Sequence, residues 1–327
     1  MKYKYLFEAF DNLETSNYNI ISTMDDSKIT HNKAGEAVKA NISTKTPDYS
    51  LDPAQHLRPN TASTSKTSAL IILNIPLTDH DLLNRLHSHS AQTICADGGA
   101  NRLHDLLTTR FPDLAPEKAL SKTLPTRIHG DLDSLLPAVR ALYGNLKVPI
   151  THDEDQYSTD FGKAIALALT PSPGNNNNNN DNGTITDVLI LGSLSGRVDQ
   201  GLGLLHELYR EQRHRHAGTR FWLFSECSVS TILLPGVSCL ATELEEGLLA
   251  RSVGLLPVFG KATISTGGLE WDVEAWETEM GGMVSTSNHV VGKEVWVETD
   301  REVLFTVEVV RERERGKGSE GEGVSVG

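Results

Sequence analysis

Short apolar runs alternate with segments of helical periodicity between residues 68 and 227. The runs "SALIIL", "AQTICA" and "TDVLIL" are each followed by a stretch in which apolar residues recur every three or four positions. This alternation is typical of parallel β-strands joined by helices that cover the sheet. It predicts an α/β domain over 68–227, and in such sheets ligands bind outside the carboxyl ends of the strands.

The pattern changes at residue 228. Segments such as "VSTILLP", "EVWVE" and "VLFTVEV" are short, rich in β-branched residues and separated by Gly or Pro. The last two partly alternate apolar and polar positions, as half-buried strands do. Residues 228–310 are therefore predicted to form an all-β domain, either a sandwich or a barrel.

Three further segments show neither pattern. Residues 1–67 are polar with little periodicity, and we interpret them as a flexible N-terminal arm. The segment "PSPGNNNNNNDNG" at 171–183 is typical of a low-complexity loop inside the α/β domain. Residues 311–327 are charged and glycine-rich, which predicts a disordered tail.

The amino-acid composition limits which binding partners and which cellular compartment can be expected for this protein. The net charge of −13 over 327 residues disfavours a surface for nucleic acid or anionic lipid, because both need clustered Lys and Arg. No apolar stretch approaches the roughly 20 residues of a membrane span, and the N-terminus lacks a signal-peptide core. Three cysteines without a CxxC pair fit a reducing compartment. We expect a cytoplasmic protein with no nucleic-acid or membrane partner.

Acidic and glycine-bearing segments follow the predicted strands of the α/β domain. They are "ADGGANR", "GDLDS", "DEDQYSTDFGKA" and "GSLSGRVDQ". An aspartate after a strand often only caps the next helix, and "GDLDS" alone is explained as well by a turn or cap as by a metal. Because all four segments should gather at one edge of the sheet, together they indicate a functional site there.

Two aspartates in this set, Asp131 and Asp133, lie two residues apart. Their side chains share one face if the strand continues through Leu132. Like charges about 4 Å apart repel by roughly 1 kcal/mol in water, so we expect a cation beside them. Asp160 could complete the group, although it could equally cap its own helix. A group of two or three carboxylates is suited to binding Mg²⁺, whose remaining ligands can be phosphate oxygens.

Basic residues in the same segments suit phosphates. Arg102, Lys163 and Arg197 each lie near the start of a predicted helix, where backbone N–H groups also favour anions. Carboxylates, cations and glycines together describe a Mg-nucleotide site. The sequence contains no P-loop, no GxGxxG with a following acidic residue, no kinase HRD or DFG set and no HExxH motif.

The order of these motifs resembles the thiamine pyrophosphokinases over about 69–310. The segments that carry the resemblance are "CADGGANRLHD", "GDLDS", "DQYSTDFGKA", "GRVDQ", "STGGLEWDV" and "VSTSN". It implies an α/β nucleotide-binding domain followed by a β-sandwich, in a homodimer with thiamine bound at the subunit interface. It also implies that ATP and thiamine give AMP and thiamine diphosphate with Mg²⁺, the thiamine hydroxyl attacking the β-phosphorus.

The resemblance also implies roles for individual residues. Asp131, Asp133 and Asp160 would bind the metal and act in catalysis. The residues implied for ATP and its phosphates are Asp97, Asn101, Arg102, Ser158, Thr159, Lys163, Arg197, Asp199 and Gln200. Trp271 would stack on thiamine, with polar contacts from Ser287 and Asn288, although Trp271 could also be an ordinary core aromatic. Asp97 is a further metal candidate, and the general base stays open among the aspartates.

Departures from the family leave alternatives open. Ile75 replaces the amide of the family's "LNQP", and Arg251 and Ser252 stand near the place of a Trp in animal members. The second aromatic partner of thiamine is therefore open. The competing functions are a metal-dependent nucleotide or phosphate hydrolase, and a non-catalytic thiamine or nucleotide sensor on the same scaffold.

Overall fold

The fold is described from a computed structural model. The described residues are 29–31 (backbone only), 45–60, 66–170, 185–192, 194 and 197–310. Outside them lie the predicted loop at 171–183, the predicted tail at 311–327 and most of the predicted arm. No helix among the described residues has the length and apolar character needed to cross a bilayer.

The helices and strands alternate in the first half of the chain, and strands dominate the second half. The helices are α1 (His80–His89), α2 (Gly99–Arg110), α3 (Pro116–Leu120), α4 (Pro137–Asn145), α5 (Asp160–Leu169) and α6 (Val198–Arg210), with a π-helix at Glu211–Arg215 and a 3₁₀ turn at Leu244–Glu246. The first strands are β1 (Ile29–His31), β2 (Tyr49–Leu51), β3 (Ser68–Ile72), β4 (Ser90–Ala96), β5 (Arg127–Gly130), β6 (Ile150–His152), β7 (Asp187–Leu191) and β8 (Arg220–Phe224). The later strands are β9 (Ser228–Leu233), β10 (Gly236–Ala241), β11 (Leu249–Leu256), β12 (Ala262–Gly267), β13 (Trp271–Val273), β14 (Trp276–Thr278), β15 (Ser285–His289), β16 (Glu294–Thr299) and β17 (Val303–Val309).

A ten-stranded sheet organises the molecule, in the order β15-β11-β17-β9-β8-β7-β3-β4-β5-β6. Strands β8, β7, β3, β4, β5 and β6 are parallel, and helices connect them. Every residue of β3 and β7 is buried, as expected of central parallel strands. The predicted α/β architecture is therefore confirmed, with its carboxyl strand ends aligned along one edge.

The second half forms a β-sandwich. Strands β15, β11, β17 and β9 continue the large sheet antiparallel, and a second sheet has the order β14-β12-β16-β10-β2. Val253 and Phe305 from the first sheet and Ile264 and Val297 from the second belong to one buried cluster. The sandwich prediction is confirmed. The division into separate domains at 227/228 stays a prediction, since one sheet runs across that position.

Part of the predicted flexible arm is built into the fold. Strand β2 pairs in parallel with β10, and Ala54 and Leu57 are almost fully buried. Arg58 forms an ion pair with Glu246 at 2.7 Å. The prediction of a flexible arm is wrong for 45–60, because this segment buries a few apolar side chains whose spacing was too short to register as a periodic pattern.

Candidate active site

Three carboxylates meet where β4 and β5 end. Asp97 follows β4, and Asp131 and Asp133 follow β5. One carboxylate oxygen from each of the three lies within 4.8 Å of the others. The sequence prediction that Asp131 and Asp133 come together at this edge is confirmed, and Asp97 joins them.

A turn brings Asp131 and Asp133 together, in place of the strand continuation that we expected. β5 ends at Gly130, and Leu132 has a φ of 63°, which is left-handed and uncommon for this residue type. The N–H of Asp133 donates to Asp131 Oδ1 at 3.3 Å. A side chain at Gly130 would place its Cβ 2.6 Å from Asp160 Oδ1, so the turn requires glycine there.

Asp97 is the most buried of the three, with 3% of its surface exposed. Its Oδ2 accepts the N–H of Ser134 at 3.0 Å, while its buried Oδ1 has no hydrogen-bond partner among the described residues. Burial raises the pKa of Asp97, and the charges of Asp160 and Asp131 raise it further. A buried oxygen without a partner is costly, and a cation would satisfy it.

Asp160 is a neighbour of the group formed by Asp97, Asp131 and Asp133, but it is not a member of that group. Thr159, not Asp160, caps α5, accepting the N–H of Gly162 at 3.1 Å. Asp160 Oδ1 accepts the N–H of Asp131 at 3.0 Å, which ties α5 to the turn after β5. Burial raises the pKa of Asp160, and the Asp131 charge adds to this effect. Asp160 was predicted as the third metal ligand; Asp97 takes the third position in the observed group.

Lys163 places a buried ammonium group beside the carboxylates, and its predicted contact with phosphate stays a prediction. Only 3% of its surface is exposed. Its Nζ lies 3.6 Å from Asp160 Oδ1 and 3.9 Å from Asp131 Oδ2, and it donates to the carbonyl of Asp153 at 3.1 Å. One buried lysine beside four acids leaves an excess of negative charge, so this edge can accept a further cation.

The donor set fits a hard divalent cation. All the candidate ligand atoms are carboxylate oxygens, the type that Mg²⁺ and Ca²⁺ prefer. Asp97, which supplies one atom of this set, also has an oxygen without a hydrogen-bond partner among the described residues. Crowded carboxylates repel one another, and bound positive charge would relieve that repulsion.

The side chains of Asn101 and Arg102 hold the loops of the site. Asn101 Nδ2 donates to the carbonyl of Ser134 at 2.8 Å, and its Oδ1 accepts the N–H of Leu136 at 3.1 Å. Arg102 Nε donates to Asn74 Oδ1 at 2.8 Å. Asn101 therefore positions the loop that carries Asp133, and the predicted ATP contacts of both residues stay predictions.

The other residues predicted for ATP lie in loops or at helix starts. The Ser158 hydroxyl donates to the carboxylate of Asp155. Arg197 and Asp199, both exposed, form an ion pair at 2.6 Å, and Gln200 is exposed in the first turn of α6. The guanidinium of Arg197 would have to leave Asp199, or share it, to bind a phosphate.

The residues predicted for thiamine lie together in the sandwich. Trp271 is 37% exposed, which excludes the alternative of an ordinary core aromatic. The buried Asn288 accepts the N–H of Trp271 at 3.2 Å and donates to its carbonyl at 2.9 Å. Asn288 thus holds the Trp271 backbone, whereas Ser287 is exposed with a φ of 59°.

Several neighbours of these residues were not singled out from the sequence. Asn74 follows β3 and contacts both Arg102 and the Gly98 turn. His289 lies 5.7 Å from the Trp271 ring, centroid to centroid, and its Nδ1 is 2.6 Å from Glu270 Oε2. Asn74 could have been suggested by its place after a buried strand. No such signal marks His289 and Glu270, because pairing between distant strands brings them together.

A parallel sheet whose carboxyl edge carries several acids and a buried lysine is typical of enzymes that transfer phosphoryl groups from nucleotides. Sequence profiles agree: "Thiamin pyrophosphokinase, catalytic domain" matches 83–219, and "Thiamin pyrophosphokinase, vitamin B1 binding domain" matches 240–304. The chain is 32% identical to thiamine pyrophosphokinase 1 of Arabidopsis thaliana over 76% of this chain and 88% of that protein. It belongs to the thiamine pyrophosphokinase family.

Relatives and solved structures from fungi agree with this assignment. Thiamine pyrophosphokinase of Saccharomyces cerevisiae is 30% identical over 75% of this chain and 86% of that protein. The crystal structure of yeast thiamin pyrophosphokinase superposes with a TM-score of 0.72, at 26% identity, over 86% of this chain and 97% of that chain. The Candida albicans structure, at 22% identity and a TM-score of 0.68 over 86% of this chain and 98% of that chain, supports the fold.

Proposed function

We propose that this protein transfers the pyrophosphoryl group of ATP to the hydroxyl of thiamine, giving thiamine diphosphate and AMP. The observation that carries the proposal is the group of Asp97, Asp131 and Asp133 beside the buried Lys163, in a member of this family. Such a group suits a reaction in which several phosphate charges must be held and neutralised.

In this reaction the thiamine hydroxyl oxygen forms a bond to the β-phosphorus of ATP. The bond between that phosphorus and the oxygen bridging to the α-phosphorus breaks, and AMP leaves with the oxygen. The hydroxyl proton passes to a base, which we place among the aspartates of the cluster. Because both substrates must be held in line, positioning should supply much of the rate enhancement.

We assign Mg²⁺ to Asp97, Asp131 and Asp133, with Asp160 holding the Asp131 backbone beside them. When bound, Mg²⁺ would neutralise the phosphate oxygens and polarise the β-phosphorus for attack. Lys163, whose ammonium group already faces two of these acids, would contact phosphate oxygens at the same edge. We propose further phosphate contacts from Arg102 and Arg197. Ser158, Thr159, Asp199 and Gln200 would line the nucleotide pocket.

On the sandwich, Trp271 would stack on the rings of thiamine. Its half-exposed indole and its backbone, held at both ends by Asn288, supply a preformed aromatic surface. An aromatic face attracts a cationic ring, and thiamine carries a positive charge. Ser287, exposed on the same strand, is the proposed polar contact.

We also propose a homodimer with thiamine bound between subunits. Strand β15, which carries Ser287 and Asn288, is the last strand of the large sheet in the described part of the chain. An edge strand can pair with or pack against a second copy. Mixing two inactive variants, Asp133→Asn and Trp271→Ala, tests the shared site: about a quarter of wild-type activity should return if each site takes one residue from each subunit. No recovery in mixed dimers would place both residues in one subunit's site.

A cytoplasmic location is part of the proposal. It is supported by Cys95, Cys227 and Cys239, none of which forms a disulfide. Imaging of a fluorescent fusion would test it, and accumulation in an organelle would contradict it.

The assay that tests the function supplies Mg-ATP and thiamine to the purified protein. Equal amounts of AMP and thiamine diphosphate are the expected products, and Asp133→Asn is the inactive control. Phosphate released from ATP without thiamine would favour a hydrolase instead. Tight binding of both ligands with no product would favour a sensor.

A further inference from the structure

A short strand from the N-terminal region lies against the strand that carries Trp271. β1 (Ile29–His31) pairs antiparallel with β13 (Trp271–Val273), and the two form a separate two-stranded sheet. The residues that lie opposite one another are Ile29 and Val273, Thr30 and Asp272, and His31 and Trp271. β1 precedes both family profiles, which begin at residues 83 and 240. The pairing therefore involves a part of the chain outside the region that defines the family.

The hydrogen bonds of the β13 backbone show which of its edges faces β1. The N–H of Trp271 donates to Asn288 Oδ1 at 3.2 Å, and its carbonyl accepts from Asn288 Nδ2 at 2.9 Å. The N–H of Val273 donates to a threonine hydroxyl of β12 at 3.0 Å. Backbone groups of successive strand residues point to opposite edges, so the N–H and carbonyl of Asp272 face β1. Thr30 and Asp272 therefore form the hydrogen-bonded type of antiparallel pair.

The side chain of Asp272 holds β13 from the side of the sandwich. It is almost fully buried, and its carboxylate accepts the N–H groups of Gly268 and Leu269, each at 3.1 Å. It also accepts the hydroxyl of Thr266 at 3.0 Å. In the described part of the chain β1 is the strand that pairs with β13. One edge of β13 is thus held by side chains of the sandwich, and the other by β1.

The place of Trp271 makes this second support relevant to binding. Trp271 is the first residue of β13, it lies opposite His31 in the register, and its indole is partly exposed. A strand of three residues with an open edge would exchange its hydrogen bonds with water and open locally. A ring that stacks on a ligand binds more tightly when it is held in place before the ligand arrives.

We propose that β1 is a positioning strand for thiamine, which holds β13 and thereby fixes Trp271 in the orientation that stacks on the substrate. This role rests on the proposed function, since it takes Trp271 as the residue that contacts thiamine. It gives part of the predicted flexible arm a role in substrate binding.

Two substitutions at Thr30 test the pairing itself. Proline removes the N–H that faces Asp272, whereas valine keeps it and favours a strand. Hydrogen exchange followed by mass spectrometry reports on the peptide that contains 271–273. Exchange of this peptide should be about tenfold faster in Thr30→Pro and unchanged in Thr30→Val, with the buried strand β3 as internal control. Equal exchange in the two variants would overturn the proposal.

The affinity for thiamine tests what the pairing does. Calorimetry with Mg²⁺ and a non-hydrolysable ATP analogue measures thiamine binding without turnover. Thr30→Pro should raise the Kd for thiamine about tenfold and leave the Kd for the analogue unchanged, and Thr30→Val should match wild type. A chain that begins at residue 32 lacks β1 and should bind thiamine as weakly as Thr30→Pro. Wild-type affinity for thiamine in either protein would reduce β1 to a structural strand and contradict the proposal.

The outcomes separate this role from the proposed function. Thiamine diphosphate formation is measured on the same wild-type preparation. Product formation with equal thiamine affinity in Thr30→Pro would remove the role of β1 and leave the function. Weaker thiamine binding in Thr30→Pro, without product in wild type, would remove the function and leave the role of β1. Both variants should sediment as wild type does, and a changed subunit state in Thr30→Pro alone would contradict the positioning role.

Discussion

Asp97 and Asp187 are equally buried, each 3% exposed, and lie at opposite ends of the same parallel sheet. Asp187, at the start of β7, receives the Trp222 indole N–H at 2.8 Å and the Thr186 hydroxyl at 2.7 Å, and Arg220 lies 3.2 Å away. Asp97, at the end of β4, receives one N–H and leaves its other oxygen without a partner among the described residues.

The two aspartates therefore differ in the direction of their pKa shifts. Burial alone would raise the pKa of Asp187, but His56, Thr186 and Trp222 outweigh it and hold the pKa well below its ordinary value. Burial raises the pKa of Asp97, and neighbouring acids raise it further. A buried charge with all its partners serves the fold, whereas one left short of partners marks a place for a ligand.

The largest effect should come from removing a charge at the carboxyl end. Asp133→Asn should lower turnover about a hundredfold or more, because it removes charge that holds the metal and phosphates. The melting temperature should not fall, since the change also relieves repulsion. AMP and thiamine diphosphate are measured by chromatography, with Asp113→Asn on the surface as control. Turnover like that of wild type would refute the metal assignment.

At the amino ends of the parallel strands, a substitution is expected to lower stability and to leave substrate binding unchanged. Asp187→Asn should lower the free energy of unfolding by about 2–4 kcal/mol, because it leaves buried donors and Arg220 without their charged partner. The KM values of the folded fraction should not change. Denaturant unfolding of this variant is compared with Asp97→Asn, which should stay within about 1 kcal/mol of wild type. Equal destabilisation in the two variants would remove the distinction.

The effect of Mg²⁺ on thermal stability should distinguish the two ends of the sheet without any assay of activity. At tenfold excess over its Kd, Mg²⁺ should stabilise the wild-type protein by about 1.4 kcal/mol. The thermal shift should disappear in Asp133→Asn and persist in Asp187→Asn, with NaCl of equal ionic strength as the control for screening. A shift that survives in Asp133→Asn would mean that the ion binds elsewhere.

The smallest effect concerns pH. The pKa of Asp187 is lowered in the folded state, so its stabilisation is present above the unfolded value of about 4 and is lost as the pH falls further. The pKa values of Asp97 and Asp160 are raised, so their protonation should slightly favour the metal-free fold as the pH falls towards 4. Unfolding curves of wild type, Asp97→Asn and Asp187→Asn between pH 3 and 7 test both signs. The same dependence of unfolding free energy on pH in all three proteins would contradict both predicted signs.

The sequence predicted correctly that the aspartates group at the carboxyl edge of the sheet. The backbone geometry that it predicted for them, a continued strand, was wrong. Parallel strands with buried runs place their ends together, so Asp131 and Asp133 could be assigned to one edge. That Leu132 turns through a left-handed conformation, and that Asp97 rather than Asp160 completes the group, depends on packing between loops distant in sequence.

The periodic runs by themselves determined the two halves of the fold, and the spaced motifs determined the family and the edge that carries its acids. Both are local properties of the chain, since burial on one face imposes a period and a strand end precedes its loop. Only the tertiary structure decided which buried acids are satisfied, how 45–60 packs on the sandwich, and which strand 29–31 pairs with. Those depend on contacts between residues far apart in sequence, which no local pattern encodes.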